Sequence, residues 1–325
     1  MVKRPAILVT GVGAVVGYGI VESLRRSGLD VRIVGMDIHQ DAYGRFVADD
    51  FVQAVLASDE MFVPFVQRVV AEHQVDLIIP GIEQDLFALW LHRTRIPTQI
   101  VLNSDLCLGL SKSKLDTFHF FNDLAQPFVI PTLHGCSYVE CVSRLGLPFI
   151  LKPSSSYASK GMVLIHTALD FEFHTARIGV GQCIYQRRIG SDDEEYTISV
   201  FGDGRGAYFD SIVLRRRLSQ EGATQKACLV EDDAAIRECV DAVCRLVKPF
   251  GPTNLQVRKE HGAVFLLEIN ARVSSACSIR SLMGYNEPEM CVRHFLLHET
   301  LQPTRKRRGT VVRFIADHFA DDERR

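Results

Sequence analysis

Asn254-Leu255-Gln256-Val257, then Glu260-His261-Gly262, then Val264-Phe-Leu-Leu-Glu268-Ile-Asn270-Ala-Arg272 is the stretch on which this chain turns. Leu255–Val257 and Val264–Ile269 are β-prone and His261-Gly262 is a turn signal, which predicts a hairpin. Side chains alternate along a strand, so Glu268, Asn270 and Arg272 share one face. A tight turn brings Gln256 within direct or diagonal cross-strand reach of Glu268. Three oxygen donors beside a guanidinium suit a magnesium-bound polyphosphate, because Mg²⁺ takes few protein oxygens and completes its shell from water and phosphate. The apolar run entering Glu268 marks a largely buried strand, where an unpaired carboxylate is costly. The arginine is placed to stabilise charge on an oxygen that receives a phosphoryl group.

The rest of the composition fits a soluble enzyme. The chain has 325 residues, of which 47% are hydrophobic. That is more than one core normally holds, so two or three lobes are expected. No apolar run is long enough to span a membrane. The short run Ala6–Thr10 enters a glycine loop directly and reads as a first strand, not as a signal peptide. A net charge of −2 disfavours nucleic acid as a partner, and Arg305–Arg308 reads as a solvated loop. Nine scattered cysteines without a Cys-x-x-Cys pair argue against a disulfide framework and a structural zinc site. They point to buried thiols in a reducing, cytoplasmic setting.

The first hundred residues alternate between strand-like and helix-like segments. Strands are expected at Ala6–Thr10, Val31–Met36 and Val75–Pro80, with helices over Ile20–Ser27 and Pro64–His73. This is an α/β pattern that implies a parallel, right-handed wound sheet. Gly11-x-Gly13-x-x-x-Gly17 followed by Asp37 imitates a dinucleotide fingerprint, so an NAD(P)-binding oxidoreductase is a rival reading. In either case the loop could offer N–H groups to an anion at a helix N-terminus. Glu83 follows a strand end, where ligands of open α/β sheets collect, and it can equally be an ordinary helix-start carboxylate.

Downstream, Lys114 opens a helix-like segment and Lys152 ends the strand Pro148–Pro153. Four apolar residues before Lys152 make that strand buried, so its ammonium needs a partner. The small-residue loop Ser154–Gly161 can present backbone amides to phosphate. On the strand Ser211–Leu218, Arg215 and Arg217 face one way and Arg216 the other. Gln220–Lys226 reads as a mobile loop, and a helix is expected from about Asp232 to Lys248.

The Gln, Glu-x-Asn-x-Arg pattern resembles the metal-binding hairpin of ATP-grasp enzymes. The run Gly251-Pro-Thr-Asn-Leu-Gln256, Leu267-Glu-Ile-Asn-Ala-Arg-Val-Ser-Ser275 and Met283-Gly-Tyr285 looks most like carbamoyl-phosphate synthase large chains. The resemblance covers essentially the whole chain. It implies an α/β protein of α+β lobes: a Rossmann-like pre-ATP-grasp domain over residues 1–105, a small lobe over 106–185 and a large lobe over 186–325. It also implies that Lys114 and Lys152 meet ATP phosphates, and that Ser155, Ser156 and Gly161 belong to the flap. Gln186, Arg187 and Ile189 would line the adenine through their backbone, with Glu195, or Glu194 one residue away, accepting from the ribose. Two Mg²⁺, with Mn²⁺ admissible, would be held by Glu268, Gln256 and Asn270. Arg215 and Arg272 would face the transferred phosphoryl group and Glu83 the acceptor.

Carried through, the resemblance implies a ligase that turns a carboxylate into an acyl phosphate for attack by an amine or other nucleophile. Its partners would be small molecules, with no nucleic acid or membrane and a homodimer left open. The chain departs from the pattern at the serine-rich flap, at Arg187 where many relatives have glutamate, at Ala271 where proline is common, and at Ser275-Ala-Cys277. It also has one synthetase unit where those large chains have two, so carbamoyl phosphate is not the expected product. An ATP-binding regulatory protein without catalysis is the remaining alternative.

Overall fold

A computed structural model of the chain describes residues 4–154, 161–219, 222–314 and 317–319. The leading lobe is a five-stranded parallel sheet in the order β3-β2-β1-β4-β5. Its strands are β1 (Ala6–Thr10), β2 (Arg32–Asp37), β3 (Asp50–Gln53), β4 (Leu77–Ile79) and β5 (Gln99–Ile100). Helices α1 (Val15–Arg26), α2 (Phe62–His73) and α3 (Glu83–Leu91) connect them. Every residue of β1 is buried, as its unbroken apolar run requires for a strand covered on both faces. Helix α1 starts earlier than its sequence suggests and takes in Gly17 and Gly19. Close packing explains this: a Cβ on Gly17 would strike the Gly11 carbonyl, and one on Gly19 would lie 2.7 Å from Cys277 Sγ.

Helices α4 (Asp105–Lys112) and α5 (Lys114–Asp123) lead onward. The small lobe follows, with β6 (Thr132–His134), α6 (Tyr138–Leu145), β7 (Phe149–Pro153), β8 (Val163–Ile165), α7 (Ala168–Ile178) and β9 (Cys183–Arg187). Its four strands form a sheet in the order β6-β9-β7-β8, over a core that includes Leu133, Phe149, Leu151, Phe171 and Tyr185. Two expected boundaries shift. Cys107, Leu108, Leu110 and Phe121 of α4 and α5 pack into the large-lobe core, not the small one. The boundary expected at 185/186 falls inside β9.

The large lobe contains β10 (Glu195–Asp203), β11 (Tyr208–Leu218), β12 (Thr224–Leu229), α8 (Ala234–Val247), β13 (Phe250–Glu260) and β14 (Ala263–Asn270). It ends with α9 (Cys277–Leu282), α10 (Glu287–Cys291) and β15 (Thr310–Val312). Its six strands run in the order β14-β13-β10-β11-β12-β15. Strand β12 takes in Thr224–Lys226, so most of the described part of the expected mobile loop is sheet; residues 220 and 221 lie outside the described residues. Alternation along β10 sends Tyr196, Ile198 and Val200 into the core against α8. Glu195, Thr197 and Ser199 therefore share the opposite face.

On that face lies a buried polar network the sequence reading missed. Arg280 and Glu287 are both fully buried and ion-paired, with Nη1 to Oε2 at 3.1 Å. Arg280 also donates to Ser274 (2.8 Å), Thr197 (2.9 Å) and Asn254 (2.6 Å), while Ser199 donates to Glu287 at 2.7 Å. Only the Arg280 Nε lacks a partner. Breaking a buried pair strands a charge, so Arg280→Met should cost roughly 3–5 kcal/mol, and the Arg280→Met/Glu287→Leu double variant clearly less than Glu287→Leu and Arg280→Met summed. Urea unfolding of the three variants measures this; additive losses would refute the coupling.

Candidate functional site

The hairpin forms as the sequence predicts. β13 and β14 pair antiparallel, and Gln256 sits directly opposite Glu268, with Asn254 opposite Asn270. His261 and Gly262 make the two-residue turn, both at positive φ (49° and 85°), the backbone that favours a glycine at the second position. A bulge after Gln256 leaves Leu267 without a partner in the register and keeps Glu268 facing Gln256.

In front of the hairpin is a cleft of about 650 Å³ between the small and large lobes. It is lined by Lys114, Lys152, Gln186, Arg187, Ile189, Glu195, Gln256 and Glu268, which sequence reasoning had nominated, and by Arg216 and Arg258, which it had not. Lys114 is the first residue of α5, and its backbone N–H bonds the Ser154 carbonyl just past β7. That bond ties the start of the helix to the strand carrying Lys152. The Lys114 ammonium lies 3.5 Å from Glu268 Oε1. Burial, reinforced by the positive charge of Lys114 and opposed by Glu268, pulls the Lys152 ammonium down to about 8.

At the other end of the cleft, Glu195 is buried between two guanidiniums. Arg216 donates Nε (3.1 Å) and Nη2 (2.6 Å) to its Oε1, and Arg258 Nη2 pairs with its Oε2. Burial alone would raise this carboxyl, but the two arginines outweigh it and hold it below the usual range. Glu194 instead accepts the Tyr196 hydroxyl at 2.7 Å, outside the cleft lining. Arg215 is a correction. It is exposed and points off the other face of β11, whereas Arg216 is buried and reaches Gln256 Oε1 at 2.9 Å. The register explains why: Gln256 pairs with Thr197 and Thr197 with Leu214, so even-numbered β11 residues share the face of Gln256.

Residues 186–189 already have partners of their own. The Gln186 side chain donates to Thr132 at 2.9 Å, the Arg187 N–H bonds the Pro131 carbonyl, and the Ile189 carbonyl accepts from Arg258. The Arg187 side chain lines the cleft while its guanidinium is held by the hairpin. It pairs with Glu260 at 2.8 Å and lies over the Phe265 ring. Gly161 is exposed at φ +80°, against the Pro153 ring. Ser155 and Ser156 lie outside the described residues.

Beyond Glu268 the row continues to the leading lobe. Asn270 is buried, and Arg272 forms an ion pair with Glu83, the first residue of α3, while also approaching Asn270 Oδ1 at 3.5 Å. In the N-terminal glycine loop Asp37 accepts from the Gly13 N–H (2.8 Å) and the His39 N–H (2.9 Å). The Ala14 N–H bonds Gly11, and Ala42 would touch a Cβ at Gly13. Among the described residues no group of three or more His, Cys, Asp or Glu could hold a metal by itself. The Glu268 carboxylate with the Asn270 amide oxygen fits Mg²⁺ shared with a polyphosphate, which needs few protein ligands, whereas the Gln256 Oε1 expected beside them already accepts from Arg216.

Residues 192–318 match the model of a family described as an ATP-grasp in the biosynthetic pathway with Ter operon. No curated protein matches in sequence. In structure, N5-carboxyaminoimidazole synthetase from Staphylococcus aureus, complexed with ADP, superimposes with a TM-score of 0.73 at 17% identity, over 94% of this chain and 81% of that one. Biotin carboxylase from Campylobacter jejuni gives 0.71 at 13% identity, over 95% and 74%. An L-amino acid ligase from Bacillus licheniformis gives 0.65 at 16%, over 90% and 74%. The chain shares the overall fold of these structures, and the ATP-grasp family match falls on its C-terminal part.

The buried Lys152 generates a pH prediction. Its native value of about 8 lies below the ordinary 10.5, so the unfolded chain holds a proton that the native one releases between those values. Its effect on stability is a penalty that is full below pH 8 and disappears as pH rises to about 10.5. Lys152→Met should therefore be more stable than the wild type by roughly 2–3 kcal/mol at pH 7, the difference shrinking through that window. The same variant should bind nucleotide far more weakly. Urea midpoints across pH and calorimetric ATP titration check both; a difference that does not change with pH would refute the first.

Proposed function

We propose that this protein is an ATP- and Mg²⁺-dependent ligase that activates a carboxylate as an acyl phosphate for attack by an amine or other nucleophile. One observation carries the reading. A single continuous row joins phosphate-type lysines, an oxygen-donor hairpin and the Glu83–Arg272 pair, which reaches into the leading lobe. Lys114 and Lys152 would hold phosphate oxygens as compact point charges. Glu268 and Asn270 are the oxygens that would hold Mg²⁺, which would neutralise phosphate charge when bound, while the Gln256 Oε1 accepts from Arg216.

A carboxylate oxygen of the substrate would attack the γ-phosphorus as its bond to the ADP oxygen breaks. Arg272 would stabilise the charge on the oxygens of the new acyl phosphate. The amine nitrogen would then attack the acyl carbon and expel phosphate, with Glu83 accepting a hydrogen bond from that nitrogen. Positioning and charge neutralisation supply the rate, as expected where phosphoryl transfer needs little covalent help.

The likeness of the hairpin to carbamoyl-phosphate synthase supports acyl-phosphate chemistry on a small amino acid, hydroxy acid or sugar acid. Mn²⁺ would satisfy the same donors, and the scattered thiols support a cytoplasmic setting. An NAD(P) enzyme is disfavoured because both oxygens of Asp37 serve backbone amides, leaving no ribose acceptor. A non-catalytic binder is disfavoured by the retained Glu268, Asn270 and Arg272.

ATP with Mg²⁺ should raise the melting temperature, and NAD(P)H should not. Glu268→Ala should keep its fold but lose ADP release across a panel of carboxylates with amines. Wild-type turnover in this variant at saturating ATP would remove Glu268 from the metal site.

Arg272 and Glu83 separate the two chemical steps. With the carboxylate alone, positional isotope exchange in ATP reports acyl-phosphate formation. Arg272→Ala should lower it at least tenfold with ATP affinity little changed. Glu83→Gln should retain exchange and lose product formation. Normal exchange in Arg272→Ala, or its loss in Glu83→Gln with nucleotide still bound, would refute these roles.

A further inference from the structure

Arg216 stands where a second metal ion would be expected to act. Its guanidinium is buried and fixed by two bonds to Glu195 Oε1, and its Nη2 donates to Gln256 Oε1 at 2.9 Å. Glu195 is itself anchored by Arg258, whose Nη1 bonds the Ile189 carbonyl at 3.2 Å. Arg216 therefore cannot swing aside without breaking a buried ion pair. A divalent cation on the same Gln256 oxygen would sit within a few ångströms of that fixed positive charge, a like-charge contact that water does not screen in a closed cleft. The other end of the hairpin differs. Lys114 lies 3.5 Å from Glu268 Oε1, and Arg272 is paired with Glu83, with Asn270 Oδ1 at the 3.5 Å limit.

We propose that Arg216 takes the place of one of two metal ions: a single divalent ion per nucleotide binds at Glu268 and Asn270. The Gln256 amide oxygen serves the guanidinium, not a metal. Arg216 then supplies the second positive charge to the polyphosphate, as a planar donor fixed in advance. This rests on the ATP reading and specifies how its charge is neutralised.

The test counts bound ions without any turnover. Mn²⁺ is titrated into the protein saturated with a non-hydrolysable ATP analogue, free Mn²⁺ is read by electron paramagnetic resonance, and nucleotide binding is checked separately by calorimetry. The wild type should bind one Mn²⁺ per nucleotide. Gln256→Leu should also bind one, with affinity changed less than threefold, and Arg216→Lys should match the wild type. Arg216→Met, which frees the Gln256 oxygen and removes the charge, should bind two. Two ions in the wild type, loss of the ion in Gln256→Leu, or one ion of unchanged affinity in Arg216→Met would overturn the proposal. Should Arg216→Met fail to fold, the wild type and Gln256→Leu decide between the one-ion and two-ion sites. Failure of the wild type to bind nucleotide in calorimetry would instead remove the ATP reading, and this proposal with it.

Discussion

The buried contact between Arg280 and Glu287 fixes the surface on which the site is built. Arg280 holds Thr197 of β10 and Asn254 of β13, while Glu287 holds Ser199 of β10. Two adjacent strands are thereby locked to α9 and α10 by side chains that reach a single polar face. Two residues further along the same face, in the same strands, come Glu195 and Gln256, then Arg258. An ion pair in this position is poor evidence for stability, since a hydrophobic replacement of equal volume can be as stable. What it does supply is direction: its donors have specific partners, so the strands carrying Glu195 and Gln256 have little freedom to rotate or slip.

The same packing joins the leading lobe to the large one. Ile20, Val21 and Leu24 of α1 share a core with Cys277, Ile279 and Met283 around α9 and with Met290 and Cys291 of α10. Asn286 donates to the Ser23 carbonyl at 2.8 Å. The Glu83–Arg272 pair thus sits across a packed interface and needs no closing motion to form. The small lobe has its own core and meets the hairpin turn through Glu260, which accepts from Arg187 and from the Gly190 N–H at 2.9 Å.

How much of this could be read from the sequence depended on whether a feature was local. The hairpin, with its Gln256–Glu268 pairing, was legible because the turn residues fix the register and alternation fixes the face. Helix α8 was legible within two residues, and β1 was legible from its apolar run. Arg215 was chosen over Arg216 because parity within β11 separates the two but does not say which faces the site; that depends on the register through β10 to Gln256, which is not local. Arg258 and Arg280 gave no signal, since a lone arginine in a polar stretch looks solvated until its buried acceptors are known. Helices α4 and α5 follow a related pattern: sequence order sets them beside the small lobe, while Cys107, Leu108, Leu110 and Phe121 pack with residues of α8 and β14.

The glycine loop shows how a pattern can be right in its residues and wrong in its ligand. Gly11 is at φ +62°, and Gly17 and Gly81 are needed because a Cβ on either would strike a backbone carbonyl of the β1–α1 turn. All three are explained by sterics alone, as they would be in any tight strand-to-helix turn packed against a neighbouring strand. The same fold requirement produces a glycine-rich loop in a dinucleotide site and here, so the spacing cannot distinguish them. The carboxylate can. An aspartate at the end of β2 that is free to accept from a ribose must have at least one oxygen facing a groove, whereas Asp37 is buried with both oxygens on backbone N–H groups. In this protein the acidic residue ties the loop to its own backbone, and the proposed nucleotide site is the cleft between the other two lobes.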